Sequence, residues 1–310
     1  MEICYITEMG IEGKIPRNFN NMRTDTAWAC SLEADCFPPL FTPEKKYDLA
    51  IVIIPKININ IWIENDVFSK VKKFADRIAI MQEGPRWYFQ DYKLHEQIWY
   101  YNSFKSADII LCHNESDKKY YAGITNHSDV RVLPSLMVED LINNLPEVKR
   151  EGVMMGGNLV SWYGGFDSFV ISSEIQEKIY SPKMGQRQEG EERLGITQLP
   201  YLNWVEWIKE LNKRKYGIHL MKTHAAGTFA LNCAYLGIPC IGYKGLDTQE
   251  KCHPSLTVDL GDMVEARKLI RILNQDSNFY TKCSIEAKEN YKNLYHEDIF
   301  STIFKKQLEI

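Results

Sequence analysis

Apolar and polar positions alternate in blocks along residues 1–145. Short, nearly continuous apolar runs rich in β-branched residues fall at 3–7, 48–54, 77–82, 108–113 and 130–134, separated by segments with helical spacing. Strands that are apolar on both faces lie in a parallel sheet covered by helices on each side. Val67, Val71 and Phe74 recur at the spacing of one helix face, and the polar segment after Asn114 caps a helix carrying Tyr120 and Tyr121. This is a doubly wound α/β pattern.

Periodicity is lost over 143–152, where a Pro sits in a charged run, and the chain divides there. A second α/β rhythm follows, with strands expected at 152–155, 179–181, 217–221, 238–243 and 256–260. The helix expected at 203–213 puts Trp204, Trp207, Ile208 and Leu211 on one face. The organisation read from this pattern is two Rossmann-like domains, 1–145 and 146–285, with a cleft between them. The stretch from Ser284 to Leu308 reads as helical throughout, and a terminal helix at 286–310 has the first domain to pack back on.

A length of 310 residues with 45% hydrophobic content suits two ordinary domains rather than a disordered chain. A net charge of -4 gives no global field for a polyanion, so nucleic-acid binding would need a local basic patch. Eight cysteines without a C-x-x-C pair, several inside apolar runs, read as reduced core thiols. The N-terminus lacks the pattern of a signal peptide, and the longest apolar run, 49–55, is far shorter than the ~18 residues of a membrane span. These features predict a soluble cytoplasmic protein that does not engage a membrane. The sequence has neither G-x-x-x-x-G-K-[ST] nor G-x-G-x-x-G after the first strand, and Cys252-His253 lacks the partners of a zinc set.

The segment KTHAAGTFALNCAYLGIPCIGYKG, 222–245, carries the most chemistry. A strand meets the small-residue turn Ala225-Ala226-Gly227, a helix opens near Thr228, and a strand follows Gly237-Ile238-Pro239. Small side chains let phosphate oxygens approach the backbone, and a helix N-terminus carries roughly half a positive charge. Lys222 would add a full one. On composition alone the same residues also suit a plain tight turn. Two glycine pairs, Gly156-Gly157 and Gly164-Gly165, mark further turns at the same sheet edge. Lys183 and Arg187 follow the 179–181 strand, either to face a ligand or as a solvated loop.

The 222–245 segment is similar to the donor-binding strand-turn-helix-strand of GT-B glycosyltransferases, including its G-x-P. That resemblance implies a GT-B fold and a glycosyltransferase using a nucleotide sugar, a UDP-sugar first. Gly156, Gly157, Lys183, Arg187, Lys222, His224, Ala225, Ala226, Gly227, Thr228 and Asn232 are then the donor-binding candidates. No cofactor is firmly implied, and a divalent metal is not required. Many members carry two Glu eight positions apart; this chain has His224 and Asn232 there, which still hydrogen-bond hydroxyls. Asn232 also suits a helix residue satisfied locally.

An inverting transfer needs a base for the acceptor hydroxyl. Glu83, at the end of the 77–82 strand and before Gly84-Pro85, is the candidate; capping the following turn is its other reading. Arg86 and Trp87, in a loop with Tyr88 and Phe89, are acceptor-binding candidates, unless the aromatics anchor the loop to the core. Arg23, in the loop 10–23 with Lys14 and Arg17, is a third. The Glu83 position resembles the DNA-modifying glucosyl- and arabinosyltransferases of T-even-like bacteriophages. That resemblance implies double-stranded DNA as a partner, the host cytoplasm as location, and the hydroxymethyl group of a flipped, modified cytosine as acceptor. Glycan or small-molecule transfer, and a non-catalytic nucleotide-sugar binder, are the alternatives.

Overall fold

The computed structural model describes residues 1–8, 10–56, 58–82, 84–184 and 187–308. Its first half runs β1 (Ile3–Ile6), β2 (Gly13–Lys14), α1 (Thr24–Ser31), β3 (Asp35–Phe37), β4 (Tyr47–Ile54), α2 (Ile59–Glu64), α3 (Val67–Val71), β5 (Ala75–Gln82), α4 (Leu94–Ser106), β6 (Ile109–Cys112), α5 (Glu115–Thr125) and β7 (Val130–Val132). The second runs β8 (Val153–Met155), α6 (Gly165–Ser172), β9 (Ile179–Ser181), β10 (Thr197–Gln198), α7 (Trp204–Leu211), β11 (Tyr216–His219), α8 (Thr228–Leu236), β12 (Cys240–Tyr243), α9 (Asp247–Cys252) and β13 (Thr257–Val258). Helices α10 (Met263–Gln275), α11 (Ser277–Leu294) and α12 (Glu297–Leu308) close the chain.

Among the described residues the first sheet has the order β2-β3-β1-β4-β5-β6-β7, parallel except for β2, which pairs antiparallel with β3. The second, β10-β9-β8-β11-β12-β13, is parallel throughout. Burial explains the apolar runs: every residue of β1, β6, β8, β9, β11 and β12 is buried. In each sheet the strand order reverses once, between β1 and β4 and between β8 and β11. Such switch points open a crevice outside the carboxyl ends of the strands.

Two expectations change. The segment 10–23 is not all loop, since Gly13–Lys14 forms the β2 edge. The stretch 284–308 is two helices: the backbone leaves α11 at Tyr295, and His296 Nδ1 then accepts from the Asp298 N–H at 3.3 Å at the start of α12. Helix α12 lies on the first half. Phe300, Phe304 and Leu308 are buried in the same core as Trp28, with Phe300 and Trp28 ring centroids 5.7 Å apart. Arg17 clips the arrangement, 2.7 Å from Glu297 and 2.6 Å from Asp140. All eight cysteines are buried and unbridged.

Candidate functional site

The carboxyl ends of both sheets converge on a cavity of about 430 Å³. The first half contributes Lys56 after β4, Gly84-Pro85 after β5 and His113 after β6, with Arg23, Thr24 and Asp25 from the start of α1. The second contributes Gly156 after β8, Pro182-Lys183 after β9, His219 at the end of β11 and the segment 225–229 that opens α8. Among the described lining residues the charged groups are Arg23, Lys56 and Lys183 against Asp25, so the cavity favours an anion.

Gly227 caps α8 with a left-handed φ of 67°, and the first bond of the ladder is Leu231 N–H to the Gly227 carbonyl, 3.2 Å. The N–H groups of Thr228, Phe229 and Ala230 therefore precede the ladder, as at any helix start, and Thr228 and Phe229 line the cavity beside Ala225 and Ala226. Carbonyls in this turn are held from the other half: Ser135 Oγ donates to Ala226 O at 2.7 Å and Asn114 Nδ2 to Ala225 O at 3.3 Å. Thr248 Oγ1 donates to Gly227 O at 2.8 Å, and a Cβ on Gly227 would come within 2.0 Å of that Oγ1. Gly227→Ala must thus adopt a left-handed backbone and displace Thr248. Its expected cost is about 2–4 kcal/mol, read as a lower urea midpoint; an unchanged midpoint would contradict the packing.

Of the other donor candidates, Gly156, Lys183, Ala225, Ala226, Thr228 and Asn232 line the cavity together with Gly227. Asn232 is 4% exposed, and with its amide turned so that the oxygen faces Trp207 Nε1 at 3.0 Å and the nitrogen faces Thr228 O at 3.1 Å, both atoms are satisfied by neighbours. Lys222, Arg187 and His224 are engaged elsewhere. Lys222 Nζ is 2.9 Å from Asp167, and Arg187 donates to Leu199 O at 3.2 Å beside buried Glu191. The His224 ring covers Gly245, and burial lowers its pKa.

The glycine pairs serve packing. A Cβ on Gly156 would meet the His219 ring at 2.3 Å, and one on Gly157 the Tyr163 side chain at 2.8 Å. On Gly164 it would meet Leu220 O at 1.6 Å, and on Gly165 Asn158 O at 1.9 Å. They let loops close on one another beside the switch point.

Glu83 lies outside the described residues; Gly84 and Pro85, which follow it, line the cavity. Residues 86–91 are a 3-10 helix rather than an open loop. Arg86 donates to Asp117 at 2.8 Å and Ser116 at 3.1 Å, lies over the Tyr120 ring, and comes within 3.4 Å of His224 Nδ1. It therefore bridges the two halves instead of presenting an exposed cation. Trp87 is half-buried, stacked on Tyr88 and edge-on to Trp162, which in turn stacks on Tyr163 at 3.6 Å. Arg23 is exposed at the cavity mouth and donates to the hydroxyl of Tyr201 at 3.1 Å, again from one half to the other.

The sequence pattern did not single out His113, His219, Asp25, Trp162, Tyr163 or Tyr201 as cavity residues. For the histidines a signal existed, a polar residue at the end of an otherwise apolar strand. Burial pushes both imidazoles down to about 4, so they are neutral at physiological pH.

Neither a family model nor a curated protein sequence matches the chain. Solved structures do match in fold. Anabaena Alr3699/HepE, in complex with UDP, superposes with a TM-score of 0.68 at 11% identity, over 100% of this chain and 100% of that one. An alpha-glucosyltransferase in complex with UDP-glucose and DNA containing an abasic site gives 0.65 at 14% identity, over 100% and 98%. Sucrose-phosphate synthase from Thermosynechococcus elongatus gives 0.62 at 14% identity, over 85% and 73%. Two mainly parallel sheets whose carboxyl ends meet at one cavity, and end-to-end likeness to these structures, make this chain a GT-B fold.

Proposed function

We propose that the chain is a glycosyltransferase that moves a sugar from a UDP-sugar to an acceptor hydroxyl. The observation that carries this reading is the meeting, in one cavity at the second sheet's switch point, of the α8 N-terminus with Arg23, Lys56 and Lys183. A diphosphate leaving group needs positive charge where its own negative charge develops, and oriented N–H groups with nearby ammonium or guanidinium groups supply it. The neighbours' bound UDP and UDP-glucose agree with such a donor. With these groups present, turnover is expected to persist in EDTA; loss of turnover that Mg²⁺ restores would contradict a metal-free mechanism.

The acceptor we favour is the 5-hydroxymethyl group of modified cytosine in double-stranded DNA, of the kind phage genomes carry. Two features support it: end-to-end likeness to an alpha-glucosyltransferase bound to DNA, and the aromatic surface of Trp162 and Tyr163 in the cavity, suited to stacking a flipped base. Glu83 is the proposed base. The test is a panel of UDP-sugars with duplexes carrying hydroxymethylcytosine or cytosine, followed by mass spectrometry of the digested nucleosides. A hexose or pentose increment on the modified base alone supports this acceptor. Donor hydrolysis or transfer to glycans without a DNA increment turns the reading to a glycan or small-molecule transferase. Calorimetric UDP binding with no transfer to any acceptor leaves a nucleotide-sugar binder.

A further inference from the structure

His219 has features that core packing alone does not explain. It is 6% exposed, and neither ring nitrogen has a hydrogen-bond partner among the described residues. His253, also buried, keeps one ring nitrogen partnered, its Nε2 lying 2.9 Å from Ala230 O, and only its Nδ1 is open. His219 instead ends β11 at the switch point, against Gly156 of the neighbouring strand end and edge-on to Phe229, ring centroids 5.3 Å apart, in the first turn of α8. It lines the cavity, and the glycine at 156 gives its ring room there. Buried polar atoms in native proteins nearly always have a partner, and one left open in a binding cavity finds it in the ligand.

We infer that His219 is a specificity-determining residue of the donor site, hydrogen-bonding an uncharged hydroxyl of the bound nucleotide sugar at the switch-point crevice. The inference rests on the nucleotide-sugar reading of the cavity. A neutral imidazole offers one donor and one acceptor, which a hydroxyl matches and a phosphate does not. Burial keeps the ring in that neutral form, since its pKa is pushed down to about 4. Two parts of the ligand carry such hydroxyls, the ribose and the transferred sugar.

The test compares uridine, UDP and UDP-glucose by calorimetry on the wild type, His219→Phe and His219→Gln. Gln, which keeps a donor and an acceptor, is expected within about threefold of wild type, whereas Phe should weaken binding about tenfold or more. Weakening for all three ligands assigns the ribose; weakening for UDP-glucose alone assigns the transferred sugar. Equal affinities for wild type and Phe, with Phe folded, would overturn the inference and leave a core histidine. A wild type that binds UDP-glucose but neither UDP nor uridine, with Phe unchanged, overturns it while sparing a sugar-binding cavity. A wild type that binds none of the three removes the nucleotide-sugar reading itself. If His219→Phe does not fold, long-range ¹⁵N–¹H spectra of wild-type imidazoles decide: UDP-glucose should fix one His219 tautomer, and an unchanged ring signal at saturation overturns the proposal.

Discussion

Replacing Glu83 with Gln is expected to lower turnover by about 10²–10⁴-fold while leaving UDP affinity within about twofold of wild type. The amide keeps the size of the side chain but cannot take the acceptor's proton, so only the step that needs a base suffers. Steady-state transfer rates at saturating UDP-sugar, with calorimetry on the same preparation, separate the two effects. Turnover within a few fold of wild type would remove Glu83 from the mechanism. The role would then pass to Asp25, the carboxylate that lines the cavity from α1 among the described residues, and Asp25→Asn would be the variant to measure.

Acid is expected to unfold the protein in a window set by three histidines. Burial pushes His113, His219 and His253 down to about 4 in the folded chain. In the unfolded chain each takes up its proton near pH 6.5. Between those values the unfolded state binds more protons than the folded one, so stability is full above about pH 6.5 and falls as pH drops towards 4. The slope is about 1.4 kcal/mol per pH unit for each histidine, or roughly 4 kcal/mol per unit for the three together. Against a typical stability of about 5–15 kcal/mol, two units of acidification remove most of it. Below that window Asp140, held low by its hydrogen bond to Arg17, adds to the loss as it is protonated. Urea midpoints at pH 7.5, 5.5 and 4.5 measure the effect, and a profile flat down to pH 4.5 would show that these rings are hydrated rather than buried.

Strands such as β1, β4, β6, β8, β11 and β12 were legible because they are buried almost throughout, and residues such as Leu49 to Ile54 leave no polar position to mislead. β3 was not: it is three residues long, and Asp35 at its start is stabilised by Lys45 and Tyr47 from the far side of a turn. Helix α4 was missed although Tyr100 and Phe104 have helical spacing, because exposed Leu94 and Ile98 break the apolar-in, polar-out pattern. At the site, local sequence located the Ala225 to Thr228 turn, since a strand, small residues and a helix start are all local signals. Partners distant in sequence were not readable. Nothing near Lys222 announces Asp167, nothing near Arg86 announces Asp117, and nothing near the glycine pairs announces the His219, Tyr163, Leu220 and Asn158 atoms packed against them.

Helix α12 places a later-made segment in the core of an earlier-made one. During synthesis the first sheet emerges early, yet the face that carries Trp28 stays uncovered until Phe300, Phe304 and Leu308 have left the ribosome. Domains of a nascent chain ordinarily fold in order as they appear. Here the second half can complete its own sheet first, and the first half waits, with that apolar face open, for α12 to join it.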